Sequence, residues 1–208
     1  EYFSEDPVLA GTMAAAAVKG GQGNQGVGAT LKHFVANDQE AYRWFSDSIV
    51  PERALREIYL KAFEIAVKTG RPWAVMSSYN KVNGVYSGNY FNLCTGVLRG
   101  EWGFDGFVMT DWWSHSYSFR AYSAGNDALM PYTEDSSWAK WAAYSFVKRQ
   151  TIEALANGTL TIGQLQRSAY NVLKVALRSR ALADMLGVPQ SQLYTYEPPP
   201  DYFKVEKL

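Results

Sequence analysis

Residues 103–113 read GFDGFVMTDWW, and the fold turns on the four residues 107–110 inside that stretch. Phe107, Val108, Met109 and Thr110 make a short apolar strand that ends in a carboxylate, Asp111, followed by two indoles, Trp112 and Trp113. The same pattern recurs on either side. Upstream, Trp73 to Tyr79 (WAVMSSY) reads as a strand followed by a turn at Asn83-Gly84, and Val27 to Phe34 (VGATLKHF) as a short buried strand. Downstream, Ala128 to Met130 is a weaker strand closed by Pro131.

Helical stretches fill the intervals. Glu5-Asp6-Pro7 sets acids and a proline at a helix start, and the alanine-rich run from Val8 to Lys19 continues until Gly20-Gly21. Pro51 opens ERALREIYLKAFEIAVKTG, where Leu55, Ile58, Tyr59, Ala62, Ile65 and Ala66 keep helical spacing and Gly70 is the stop. Leu93 to Glu101 is a short helix ended by Gly103. Two longer ones run from about Ser137 to Ala156 and from about Thr161 to Leu186, parted by Asn157-Gly158. Strands alternating with helices predict parallel βαβ units with right-handed crossovers. About four units are present. A closed (β/α)8 barrel needs eight and ~250 residues, so four make half a barrel or a small open sheet. Residues 188–208, with Pro198-Pro199-Pro200, lack periodicity and read as a surface wrap or linker after a domain spanning 1–187.

Composition narrows the function classes. The 208 residues carry 20 Lys+Arg against 20 Asp+Glu, which leaves no basic surplus for a nucleic-acid footprint. At 47% hydrophobic and 19% charged the chain is globular rather than disordered. The single cysteine, Cys94, can form no internal disulfide, no ligand cluster suggests a metal, and no apolar run reaches the ~18 residues of a membrane span. No signal peptide is visible. The chain opens on Glu1 rather than Met, which reads as a start inside something longer.

In parallel α/β folds ligands meet the carboxyl ends of strands. The polar residues there are Lys32-His33, Ser77-Ser78-Tyr79-Asn80, Asp111-Trp112-Trp113 and Asn126-Asp127. Together they offer a cation, an imidazole, a phenol, a carboxylate and an indole on one rim, a set able to bind a polyhydroxylated ligand and stack on its apolar face. Each also has a structural reading: Asp111 as a helix cap, His33 as a satisfied histidine, the tryptophans as core. Glu52/Arg56 and Arg53/Glu57 are i,i+4 pairs and read as a salt-bridged helix face.

Taken in order, six motifs resemble glycoside hydrolase family 3, the β-glucosidase-like enzymes. They are EYFSEDP (1–7), KHF (32–34), RALREIYL (53–60), MSSYNKVNG (76–84), GFDGFVMTDWW (103–113) and AGNDALMP (124–131). The resemblance implies the C-terminal half of a TIM-type (β/α)8 barrel, roughly its last four βα units. It also implies a retaining hydrolysis of terminal β-linked sugars without cofactor or metal. Asp111 of Thr110-Asp111-Trp112 would be the catalytic nucleophile, with Lys32, His33, Met76 and Tyr79 binding the glycone and Trp112 walling the pocket. Lys32, across the pocket, would favour the ionised form of Asp111. The implied ligand is a β-glucoside or related oligosaccharide.

The acid/base partner is not implied by any motif here. In β-glucosidase-like members a glutamate of a separate α/β sandwich domain supplies it. In the N-acetylglucosaminidase branch a histidine after a KHFPG-type motif does, whereas this chain continues KHFVANDQE. The expected partners are therefore the other barrel half and a sandwich domain, in the same polypeptide or another, with either domain order open. A sugar-binding module without catalysis is the alternative from another class.

Overall fold

The computed structural model describes residues 3–116, 118–130 and 137–193. Helix α1 (Pro7–Gln22) leads to strand β1 (Thr30–Phe34), a short strand β2 (Asp47–Ser48) and helix α2 (52–70). Strand β3 (Ala74–Ser77), the hairpin β4 (Lys81–Val82) and β5 (Val85–Tyr86), helix α3 (Asn92–Glu101) and strand β6 (Phe107–Met109) follow. The remaining helices are α4 (Ser118–Ala124), α5 (Ser137–Ala156), α6 (Ile162–Arg178), α7 (Arg180–Leu186) and α8 (Gln190–Leu193).

The expected alternation is present. Three parallel strands pair in sequence order, β1-β3-β6, and Ala128 adds a single parallel bridge to Met109. Successive neighbours in one direction are what repeated right-handed βα units produce. The described strands form two open three-stranded sheets, β1-β3-β6 and β2-β4-β5, and no closed barrel.

Pairing register divides the sheet into two faces. Leu31, Val75 and Val108 stand side by side and pack against Phe63, Val67, Val97 and Leu98 of α2 and α3, the main core. The opposite face carries Ala74 and Met76 from β3 beside Phe107 and Met109 from β6, and the last two are only half-buried. A parallel sheet is normally covered on both faces, so this one is covered by α2 and α3 on one side and incompletely on the other.

Small residues set the close approaches. A β-carbon on Gly106 would stand 2.2 Å from the Trp73 carbonyl oxygen, so only glycine lets β6 begin against β3. Gln22 ties the lower ends together: its side chain accepts the Ala29 and Trp73 N–H groups at 3.1 Å each and donates to Arg71 O at 3.0 Å. Asp6 caps α1 by accepting the Val8 and Leu9 N–H groups. The Glu52/Arg56 and Arg53/Glu57 pairs form, and Arg56 also bridges to Glu101 in a bidentate pair, which makes this a salt-bridged face.

Several expectations are corrected. The strand from Val27 begins at Thr30, because Gln22 holds the Ala29 amide before the ladder starts. Ala128 to Met130 shrinks to the one bridge, since Met130 N–H donates to the Thr110 hydroxyl instead of extending the ladder. The single helix from Thr161 to Leu186 is two: the Ser179 hydroxyl accepts the Leu182 N–H and starts α7 afresh. Leu93 to Glu101 is π-helical, as are Leu55–Tyr59 and Ala66–Gly70 inside α2. The tail from Val188 opens with α8, and Pro198-Pro199-Pro200 lie outside the described residues. No helix among the described residues is long and apolar enough to cross a membrane.

Candidate active site at the carboxyl ends of the parallel strands

Strand β6 delivers Asp111 to the rim and the next residues hold it there. Thr110 N–H donates to Ala128 O at 3.0 Å, and Ser114 N–H to Asp111 O at 3.3 Å, closing a turn behind the carboxylate. Asp111 Oδ1 accepts the Trp112 backbone N–H at 2.7 Å. Its other oxygen, Oδ2, is buried without a hydrogen-bond partner among the described residues and stands 3.4 Å from His33 Nε2. A buried carboxylate oxygen left without a donor is costly and demands a reason.

His33 reaches it from a slipped strand. The β1–β3 register shifts between Leu31 and Phe34, so Lys32 and His33 sit in a local irregularity of the ladder beside the site. Burial lowers the His33 pKa below its ordinary value, and the positive charges of Lys32 and Arg43 act in the same direction against the pull of Asp111. The imidazole is therefore neutral at neutral pH, and its buried Nδ1 also lacks a partner.

Tyr79 completes the cluster. The MSSYN segment splits by role. Ser78 N–H donates to Ser87 Oγ and Ser78 Oγ to Val35 O, while Asn80 Nδ2 reaches the Val35 and Ala36 carbonyls at 3.2 and 3.0 Å. These polar groups bind the segment after β1 to the end of β3. Tyr79 between them is buried, and burial pushes its phenol above the ordinary value, with the negative charge of Asp111 adding to the shift. Met76 is buried on the same sheet face as Met109, two residues before Asp111.

Trp112 is 45% exposed next to the carboxylate, at the solvent edge of the cluster. Lys32 departs from its expected place. It is exposed, lies along a groove formed with Ala10, Ala14 and Ala62, and makes no ion pair with Asp111. The group that faces Asp111 is the imidazole. The expectation for Lys32 came from the KHF motif, which says nothing of strand pairing, and the β1–β3 register shifts between Leu31 and Phe34, at this very point.

The sequence reading missed Arg43. Its guanidinium lies 5.0 Å from the Tyr79 ring centroid and 5.6 Å from that of Trp44, and Trp44 packs edge-on against Tyr79 at 5.9 Å. The segment after β1 has no periodicity, but the consecutive Arg43-Trp44-Phe45 was a usable signal: an arginine between aromatics at a strand's carboxyl end. Asn126 and Asp127, placed on the rim from sequence, are buried behind it. Asp127 pairs with Arg99 and accepts the Val108 N–H at 2.8 Å and Asn171 Nδ2 at 3.0 Å. Burial pushes its carboxyl above the usual range, against the pull of Arg99. Cys94 lies in the same buried region, its thiol pushed up to about 12 by burial. No group of His, Cys, Asp and Glu among the described residues could hold a metal ion.

The neutral state of His33 has a direct readout. The chain has two histidines, His33 and His115, so their imidazole proton resonances are readily told apart by substitution. We expect His33 to titrate below 6.5, and Asp111→Asn to move its midpoint lower still by removing the one neighbouring charge that raises it most. Because the folded pKa is depressed, protonation of His33 weakens the fold as pH falls from 6.5 through that midpoint. A His33 midpoint above 6.5, or an upward move in Asp111→Asn, would contradict this electrostatic picture.

A sequential parallel sheet with a buried carboxylate and phenol and a half-buried imidazole at its carboxyl edge defines an α/β protein with a polar cluster at its strand tips. The chain belongs to glycosyl hydrolase family 3: residues 1–175 match the model of the family's N-terminal domain. It is 48% identical over 188 residues to a β-glucosidase of Ruminococcus albus, covering 90% of this chain and 20% of that protein. It is 44% identical over 183 residues to an exo-α-(1→6)-L-arabinopyranosidase of Bifidobacterium longum, covering 87% of this chain and 22% of that protein. The structure of β-glucosidase 3B from Thermotoga neapolitana in complex with glucose superposes with a TM-score of 0.79 at 47% identity, covering 87% of this chain and 25% of that one. The chain thus spans about a fifth to a quarter of these relatives.

Proposed function

We propose that residues 1–208 are the nucleophile-bearing part of a retaining β-glucosidase-like hydrolase acting on terminal β-linked sugars. The observation that carries this reading is Asp111 Oδ2, a buried carboxylate oxygen that meets no hydrogen-bond geometry among the described residues and stands 3.4 Å from His33 Nε2 on the strand-end rim. Asp111 Oδ2 attacks the anomeric carbon as the bond to the leaving oxygen breaks, giving a glycosyl ester. Water then attacks the same carbon, releases the sugar and restores the carboxylate. The Trp112 N–H fixes Oδ1 so that Oδ2 is presented. His33 and Tyr79, with Met76 beneath and Trp112 at the edge, form the glycone pocket, while Lys32 lies outside it along the groove with Ala10, Ala14 and Ala62.

The leaving oxygen needs a proton, and retaining chemistry calls for a second carboxyl about 5–5.5 Å from the first. Glu40, a carboxylate whose charge acts on His33, does not suit that role: it is exposed and held by Arg43 at 2.7 Å. In this reading the acid/base comes from a sandwich domain outside residues 1–208. The sheet is likewise an arc of a (β/α)8 barrel, with residues 1–187 as the barrel portion and 188–208 as a tail. Its support is the sequential parallel order and the half-buried Phe107 and Met109 on the face away from α2 and α3, an apolar surface suited to a barrel interior.

The test is covalent trapping. Incubating the complete polypeptide with a 2-deoxy-2-fluoro glycoside should place one sugar on the peptide containing Asp111, read by mass spectrometry. Reversible binding without an adduct would favour a sugar-binding module instead. Residues 1–208 alone should release no p-nitrophenol from an aryl β-glucoside. Release that Asp111→Asn abolishes would show that the acid/base lies within this chain.

A further inference from the structure

The sequence holds two Asn-Gly pairs, Asn83-Gly84 and Asn157-Gly158. Such a pair can modify itself, because glycine has no side chain to shield its amide nitrogen from the neighbouring asparagine. All four residues are exposed, and both glycines have positive φ, 88° and 77°. Exposure and backbone conformation therefore do not separate the two pairs. Their hydrogen bonds do.

Asn83 is held at both ends of its amide. Its Oδ1 accepts the Val50 N–H at 2.8 Å and its Nδ2 donates to Val50 O at 2.9 Å, which locks it to a segment 33 residues away. The Gly84 N–H donates to Asp47 Oδ1 at 2.9 Å. A carboxylate beside that nitrogen disfavours its deprotonation, since the anion formed would face a like charge. Asn157, in the turn between α5 and α6, has a different set of contacts. Its Oδ1 accepts two donors from one residue, the Thr159 hydroxyl at 2.6 Å and the Thr159 N–H at 3.0 Å. The Gly158 N–H donates at 3.3 Å to Leu155 O, a neutral acceptor.

We propose that Asn157 is a self-modification site, at which the chain converts asparagine to isoaspartate and aspartate, while Asn83 is spared. The Gly158 nitrogen gives up its proton to solvent and attacks Asn157 Cγ. The Cγ–Nδ2 bond then breaks and Nδ2 leaves with a proton as ammonia, giving a cyclic succinimide. Water opens either carbonyl of that ring, which yields aspartate or isoaspartate with no change of oxidation state. The negative charge that develops on Oδ1 during attack meets the two Thr159 donors already in place, the arrangement that stabilises a tetrahedral oxyanion. The product sets a carboxylate at the C-terminal end of α5, where the helix dipole opposes negative charge. Its isoaspartyl form also reroutes the backbone between α5 and α6. This inference stands apart from the glycosidase reading.

The test is ageing of the complete polypeptide at mildly alkaline pH, followed by peptide mapping with mass spectrometry. The Asn157 peptide should split into two products carrying the mass change from amide to acid, and an isoaspartyl methyltransferase should label one of them. In the folded protein it should react at least about tenfold faster than the Asn83 peptide, the scale set by the bonds that must first break at Asn83. Unfolding in guanidinium should bring the two rates within about threefold of each other, because those bonds are then gone. Thr159→Val, which removes the hydroxyl donor, should slow Asn157 by about threefold or more and leave Asn83 unchanged. Equal rates at the two sites in the folded chain, a faster Asn83, or aspartate without isoaspartate would overturn the proposal. An unchanged or faster Asn157 in Thr159→Val would overturn the part assigned to Thr159.

Discussion

Asp111→Asn should reduce turnover of an aryl β-glucoside by the complete polypeptide by at least about 10⁴-fold, the scale seen when a reacting group is removed from an intact site. The amide keeps an oxygen to accept the Trp112 N–H, so the loop that presents the side chain is preserved. What disappears is the nucleophilic carboxylate. The same substitution should leave stability unchanged or raise it by about 1 kcal/mol, because Oδ2 is buried without a donor among the described residues and a neutral amide is cheaper to bury. Loss of activity with equal or higher stability is the signature of a group kept for chemistry. A variant that loses both, in a urea titration run beside the kinetics, would mark Asp111 as structural and remove the basis of the mechanism.

The second large effect is expected behind the rim. Asp127→Ala should destabilise the protein by about 3–5 kcal/mol, the cost of breaking a buried ion pair from one side. Its side chain is fully buried between Arg99, the Val108 N–H and Asn171, so alanine strands a guanidinium and two donors at once. Arg99 also donates to Gly106 O and Gly125 O, and thereby joins the start of β6 to the end of α4. Such a loss is a large share of the ~5–15 kcal/mol that holds a domain together. Tryptophan fluorescence during urea unfolding reads it directly. A midpoint within error of the wild type would show that the network is dispensable.

Much of this architecture was legible before any coordinates. The strand tips at His33, Tyr79 and Asp111 followed from short apolar runs ending in polar residues, and the turn at Asn83-Gly84, which the structure places in the β4–β5 hairpin, followed from its turn chemistry. Both of those residues have positive φ, 51° and 88°. What escaped has physical reasons. A two-residue strand such as β2 has too few side chains to show a period. The break at Ser179 lies inside an unbroken helical pattern, and only the hydroxyl's competition for the Leu182 amide divides it. The slip between Leu31 and Phe34 is a property of pairing between strands, so no reading of β1 alone could turn Lys32 away from Asp111. Arg43 was hidden because the segment after β1 packs on Tyr79, which is distant in the chain. Asn126 and Asp127 were placed at the rim because they lie beside the apolar run Ala128 to Met130, but Arg99 and Asn171 claim Asp127 for the interior.

Cys94 has a practical consequence for optical work on this molecule. It is the only cysteine in the sequence, it is sealed from solvent, and its thiol is pushed up to about 12, so maleimide and iodoacetamide dyes find no thiolate to alkylate. A cysteine engineered on the surface would then be the single reactive sulfur. Fluorophores or spin labels could be attached without background and without first deleting a native residue.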